Sequence, residues 1–144
     1  MTSRQPAMPT EPGLGDFLGI WDIAREVIPA RGPRAAFCGQ AVWRRVPGGA
    51  SYVETGTLVL DRGAPMTAER RYFWADDLSV YFDDGRLFHQ VPARGGQARH
   101  FCDPDMYLVT YDFSGWPLFE VRHDVTGPRK DYVMVSRFMR PAAP

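Results

Sequence analysis

The side chains best suited to chemistry crowd into one stretch of this 144-residue chain. Between Tyr81 and Tyr107 lie two of its three histidines, one of its two cysteines and four aspartates. In a β-strand residues i and i+2 share a face, so His100 and Cys102 point the same way. Asp103-Pro104-Asp105-Met106 carries Asp at the first turn position and Pro at the second, which predicts a tight hairpin. Pairing outward from Pro104-Asp105 sets Cys102 against Tyr107, His100 against Val109 and Ala98 against Tyr111, all on one face. Imidazole, thiol and phenol then share a wall. A neutral His100 there suits general-base work, with Cys102 as nucleophile and Asp105 or Tyr107 in proton transfer. The plainer alternative is a hydrogen-bonded histidine beside an inert buried thiol.

Three further groups extend this set. His89 depends on the turn at Asp83-Asp84-Gly85: a two-residue turn puts it on the face of Val80 and Phe82, and a longer bulged turn puts Arg86 and Phe88 there instead. Lys130 and Tyr132 share parity after the Gly127-Pro128 turn, and an inward face would make them a cation and a phenol suited to a carboxylate. Glu54 and Arg70 fall on the inward parity of neighbouring strands, where a buried pair serves as a brace or as a ligand contact.

A metal centre is not expected. The chain has no Cys-x-x-Cys and no His-x-x-x-His, and only His100, Cys102, His89 and Asp105 are at hand for the three or four protein ligands zinc takes.

The elements that must position these residues are strands. Short β-branched and aromatic runs are broken by Gly, Pro and Asp at hairpin spacing, which predicts strands at 19–29, 35–46, 51–60, 66–75, 78–83, 86–91, 97–102, 106–113, 117–125 and 130–140. One helical turn at Leu14 to Leu18 precedes them, and Arg25 to Ile28 has some helical character that Pro29 cuts short. Every join is short, so sequential strands are neighbours. A meander of eight to ten strands from so short a chain escapes exposed edges by closing into an all-β, antiparallel up-and-down barrel. Tyr52, Glu54, Gly56, Leu58 and Leu60 share one inward parity, and Ala68, Arg70, Tyr72 and Trp74 another.

Length allows one domain, at residues 14–140, with a disordered tail at 1–13 and a frayed end at 141–144. Seventeen basic residues balance seventeen acidic ones, which argues against nucleic acid as a partner. No apolar run reaches the roughly 20 residues of a membrane-spanning helix, and the opening MTSRQPAMPTEPG lacks the apolar core of a secretory signal. A cytoplasmic protein with reduced cysteines follows as the expectation.

Gly19-Ile20-Trp21 opens the first strand directly after the helical turn, and the last strand ends Ser136-Arg137-Phe138-Met139-Arg140. This is similar to the calycin and lipocalin pattern. The resemblance implies that Trp21 plugs the barrel base while Arg137 or Arg140 packs across it. With Asp84-Gly85-Arg86-x-Phe88-His89, Cys102-x-x-Asp105-x-Tyr107 and Gly127-Pro128-Arg129-Lys130-Asp131-Tyr132, the chain more closely resembles an uncharacterised family of small bacterial calycin-like barrels. That likeness supplies a fold and no activity. Related ten-stranded barrels that ligate haem through one histidine would make His89, His100 or His123 candidates, without singling one out, so the cofactor is left unknown.

Two functions are expected on this barrel, beside a third in which side chains fill the interior and the outer surface serves a protein partner left unknown. One is binding of a small apolar or amphipathic molecule inside it. The other is an isomerase, cyclase or lyase that uses His100, Asp105, Tyr107 or Lys130 for proton transfer.

Overall fold

Alternating apolar and polar residues between tight turns give ten antiparallel strands in the computed structural model, which describes residues 11–142. A single helical turn, α1 (Leu14–Phe17), leads into β1 (Gly19–Pro29), β2 (Ala35–Val46), β3 (Gly49–Leu60), β4 (Met66–Ala75), β5 (Ser79–Phe82), β6 (Leu87–Gln90), β7 (Gly96–Cys102), β8 (Asp105–Asp112), β9 (Phe119–Thr126) and β10 (Asp131–Met139). The expectations for residues 1–10 and 143–144 fall outside the described residues.

The strands run in one sheet, β6-β5-β4-β3-β2-β1-β10-β9-β8-β7, in which β10 returns to pair with β1. Consecutive strands are neighbours except at β6 and β7, which form the two ends. The short Val91–Gly95 connection brings those ends side by side, so the barrel is nearly closed and its seam lies between them. No membrane-crossing helix is present among the described residues.

Local chemistry explains the turns and bends. Pro47 and Gly48 form the two-residue β2–β3 loop, and Gly48 takes φ 83°, the left-handed value that a type II turn demands at its third position. Gly39 and Gly56 face each other across β2 and β3, where a Cβ on either would collide with the opposite backbone. The Phe37 ring lies against both glycines, in space a Cβ would take.

One end of the barrel is plugged by aromatic rings. Phe17 of α1 is fully buried, with ring centroids of Trp43, Trp74, Trp116 and Phe119 at 5.6, 5.1, 5.2 and 5.5 Å. Trp21 is equally buried and its Nε1–H donates to the Phe17 carbonyl at 2.7 Å. Full burial of such rings contributes roughly 1.5–3 kcal/mol each, which anchors a helix too short to persist alone.

Arg140 is the residue that covers Trp21. Met139 pairs with Asp22, so the next residue falls opposite Trp21, and the Arg140 guanidinium sits 3.9 Å from the ring centroid. It also donates to the carbonyls of Ile20 and Asp16 at 3.2 and 3.0 Å. Arg137 pairs in register with Ala24 and reaches outward to Glu120 at 3.5 Å. Arg140→Ala is expected to lower stability by about 1 kcal/mol, read as a shift in the urea midpoint, while Arg137→Ala stays within about 0.5 kcal/mol. Equal shifts in the two variants would contradict this assignment.

Candidate functional site

Strand parity turns one set of side chains inward, and they do not fill the barrel. An inner chamber of about 50 Å³ lies among Trp43, Phe88, His89, Tyr111, Phe119 and His123. An outer chamber of about 300 Å³ is walled by Val27, Phe37, Leu58, Leu60 and Ala68, with Arg70 and Tyr132 among its polar groups. Arg25, Glu54, Arg70 and Met134 line both, so the partition between the chambers is charged.

At the centre of that partition is a buried ion pair. Arg25 of β1 donates from Nη1 and Nη2 to the two Glu54 carboxylate oxygens at 2.8 and 2.7 Å, and from Nε to Ser136 Oγ at 2.7 Å. The Tyr52 hydroxyl donates to the same carboxylate, and the Phe37 ring lies 5.1 Å from the guanidinium. Burial alone would raise the Glu54 carboxyl and lower the Arg25 guanidinium. Their mutual hydrogen bonds and charges reverse both, holding Glu54 below and Arg25 above its ordinary value. Tyr52 is pushed well up by burial and by the Glu54 charge, so its proton stays on. Both charges of the pair are thus satisfied within the protein.

The inner chamber holds two histidines that remain neutral. His89 is driven down to about 4 by burial and by the neighbouring His100, and His123 to about 3 by burial, then by His89, Arg25 and Arg70. His89 Nε2 shares a 2.7 Å hydrogen bond with the Tyr111 hydroxyl, and burial raises that phenol far above its usual range. Three buried nitrogens in this wall, Trp43 Nε1, His89 Nδ1 and His123 Nδ1, have no hydrogen-bond partner among the described residues.

His89 reaches the interior by a route that joins both turn alternatives. The β5–β6 ladder pairs Val80 with His89 but Tyr81 with Leu87, so Phe88 is an extra residue bulged within the strand. Phe88 and His89 are both buried as a result, at 4% and 6% exposure. His89 then bridges the seam to Tyr111 of β8, beside the contact of Phe88 with His100 at 5.4 Å. Side chains close the gap where no backbone ladder does.

The β7–β8 hairpin keeps the expected faces but not the expected register. Its central residues are Asp103 and Pro104, so Cys102 pairs with Asp105, His100 with Tyr107 and Ala98 with Val109. Proline occupies the third turn position, not the second, and the ladder slips by two residues, which preserves face identity. His100 therefore meets Tyr107, at 6.0 Å between rings, where Val109 was expected. Lys130 Nζ donates to the Tyr107 hydroxyl at 3.1 Å and lies 3.5 Å from Asp105 Oδ2. His100, Cys102, Asp105, Tyr107 and Lys130 thus cluster at the hairpin and the adjoining strands, yet none lines either chamber. Tyr132 and Arg70 line the outer chamber, and Glu54 lines both. Glu54 and Arg70 are register partners on neighbouring strands, but the expected buried pair does not form, because the carboxylate is bound by Arg25 and Arg70 is exposed.

Arg25, Trp43 and Tyr111 were not among the expected site residues, and His123 entered only as a candidate haem ligand. A signal existed for each, because Trp21-Ile23-Arg25, Ala41-Trp43, Val109-Tyr111 and Val121-His123 continue inward parities. Helical character around Arg25 masked the first of these.

The family model described as a family of unknown function, DUF6314, matches residues 17–140. No curated protein matches the chain. Among solved structures, the fold is similar to that of the S-type phycobiliprotein lyase CPES from Guillardia theta, with a TM-score of 0.63 and 9% identity over 91% of this chain and 92% of that one. At that identity the likeness is one of fold.

Proposed function

We propose that this chain, which belongs to the DUF6314 family of unknown function, binds a small amphipathic anion in the outer chamber of its barrel. The carrying observation is an apolar chamber of about 300 Å³ with a cation at its wall, Arg70, that has no ion-pair partner among the described residues. Val27, Phe37, Leu58, Leu60 and Ala68 suit a hydrocarbon body, and the volume sits at the small end of the usual range for ligand pockets. Arg70 suits a carboxylate head, since Arg25 is committed to Glu54. Tyr132 adds a donor: burial raises its phenol, although the nearby Arg70 and Lys130 charges act the other way.

Likeness to a barrel whose solved structure is titled a phycobiliprotein lyase supports a small-molecule ligand without specifying it. The enzyme alternative would draw on His100, Asp105, Tyr107 and Lys130, and their position outside both chambers favours binding. On this proposal the barrel is calycin-like, with Trp21 under Arg140, and works in a reducing cytoplasm, where Cys38 and Cys102 stay free thiols.

Decanoate and decanol, titrated by calorimetry, test the head-group contact. Decanoate is expected to bind more tightly than decanol, and Arg70→Ala to weaken decanoate about fivefold with decanol unchanged, the range for a partly exposed charge-assisted contact. Equal affinity for acid and alcohol, or no saturable heat with either, would overturn the reading.

A further inference from the structure

The inner chamber is chemically unlike the outer one. Trp43 is 2% exposed and His89 6%, and their unpartnered nitrogens, with His123 Nδ1, belong to three side chains that line one cavity of about 50 Å³. A buried polar group without a partner costs roughly 1–3 kcal/mol, so three in the walls of one space mark a place where something polar binds.

We propose that the inner chamber is a binding site for a small neutral group that accepts a hydrogen bond, a carboxamide or similar carbonyl, with its oxygen on Trp43 Nε1–H and its N–H on an imidazole. The indole nitrogen can only donate, so the ligand must bring an acceptor. Each imidazole Nδ1 either donates or accepts according to tautomer, which matches a group that has both functions. An anion is disfavoured. Both histidines stay uncharged at neutral pH, Arg25 is neutralised by Glu54 and tied to Ser136, and Arg70, which also borders this chamber, is exposed to solvent that screens its charge. Part of the remaining wall, Val80, Phe88, Phe119, Val121 and Phe138, is hydrocarbon beside the Tyr52, Tyr72, Tyr111 and Ser136 side chains, and it suits a short alkyl remainder.

The probes are acetamide and acetate, titrated at neutral pH through the millimolar range into the full-length protein labelled with ¹⁵N. The reporter is the Trp43 indole N–H signal, assigned by triple-resonance spectroscopy on the native chain. Acetamide is expected to shift that signal saturably while acetate does not, and His123→Leu to weaken acetamide about tenfold, the effect of losing one well-made hydrogen bond. Should His123→Leu not fold, Trp43→Phe is read instead through the His123 and His89 side-chain signals, with the same loss expected. No saturable shift, which is the outcome if only water occupies the chamber, overturns the proposal. So does an equal response to acetate, or unchanged affinity in the variant. Neither result bears on decanoate binding at Arg70, so this site and the outer one stand or fall separately.

Discussion

Glu54→Leu alone is expected to destabilise the barrel by about 3–5 kcal/mol. The change removes both acceptors of Arg25 Nη1 and Nη2 and the acceptor of the Tyr52 hydroxyl, and it leaves a guanidinium inside the barrel with only Ser136 Oγ as partner. Desolvation of that charge is offset chiefly by the carboxylate, since both side chains of the pair are buried. Arg25→Met should cost less, because an abandoned carboxyl can take up a proton and an abandoned guanidinium cannot give one up. The double variant Arg25→Met with Glu54→Leu removes both charges and should recover most of the loss, or exceed the native stability. Urea denaturation of the four proteins completes the cycle. A Glu54→Leu barrel within about 1 kcal/mol of native would show that water reaches the pair, and the charged partition would have to be abandoned.

This ion pair also shows where sequence reasoning reaches its limit. Parity correctly turned Glu54 inward, and register made Arg70 its nearest cation on the next strand. The actual partner comes from β1, two strands away. Arg25 pairs in register with Phe37, and Phe37 with Leu58, so the guanidinium must pass over the Phe37 ring to reach Glu54. Only the curvature of a closed barrel brings β1 and β3 side chains together, and curvature is not written in a strand's alternation.

Strands were legible for the opposite reason. Turn chemistry and period-two patterning are local, and all ten strands begin and end within two residues of the expected bounds. The chemical cluster around His100 was legible as a face but not as a cavity wall. The β7–β8 turn took its proline one position later, and β7 borders the seam, so those residues pack against Phe82 and Phe88. His89 was ambiguous because one alternative had no bulge and the other placed it in the turn. The structure puts it inside β6, where two consecutive residues can both be buried.

Acid should weaken this barrel through its buried histidines. His89 and His123 have ordinary values of 6.5 that folding lowers to about 4 and about 3. Between those limits the unfolded chain binds more protons than the folded one, so stability is complete above about pH 6.5 and falls as the pH is lowered. Each histidine contributes a slope approaching 1.4 kcal/mol per pH unit. Together they remove on the order of 5 kcal/mol by pH 4, against the roughly 5–15 kcal/mol that holds a typical domain together. His100 is also lowered, by burial and then by Arg86, and adds to the same direction, so His100→Ala serves as the background for the test. Urea midpoints at pH 7.5, 6 and 5 isolate the histidines, since Glu54 lies below its ordinary carboxyl value and enters only in stronger acid. Replacing His123 by Phe should remove about half of the slope, and replacing His89 as well should leave it nearly flat. A midpoint that does not move between pH 7.5 and 5 would mean that the two imidazoles are hydrated in the folded state. In that case their unpartnered nitrogens would already have water as a partner, and the inner chamber would lose its claim on a ligand.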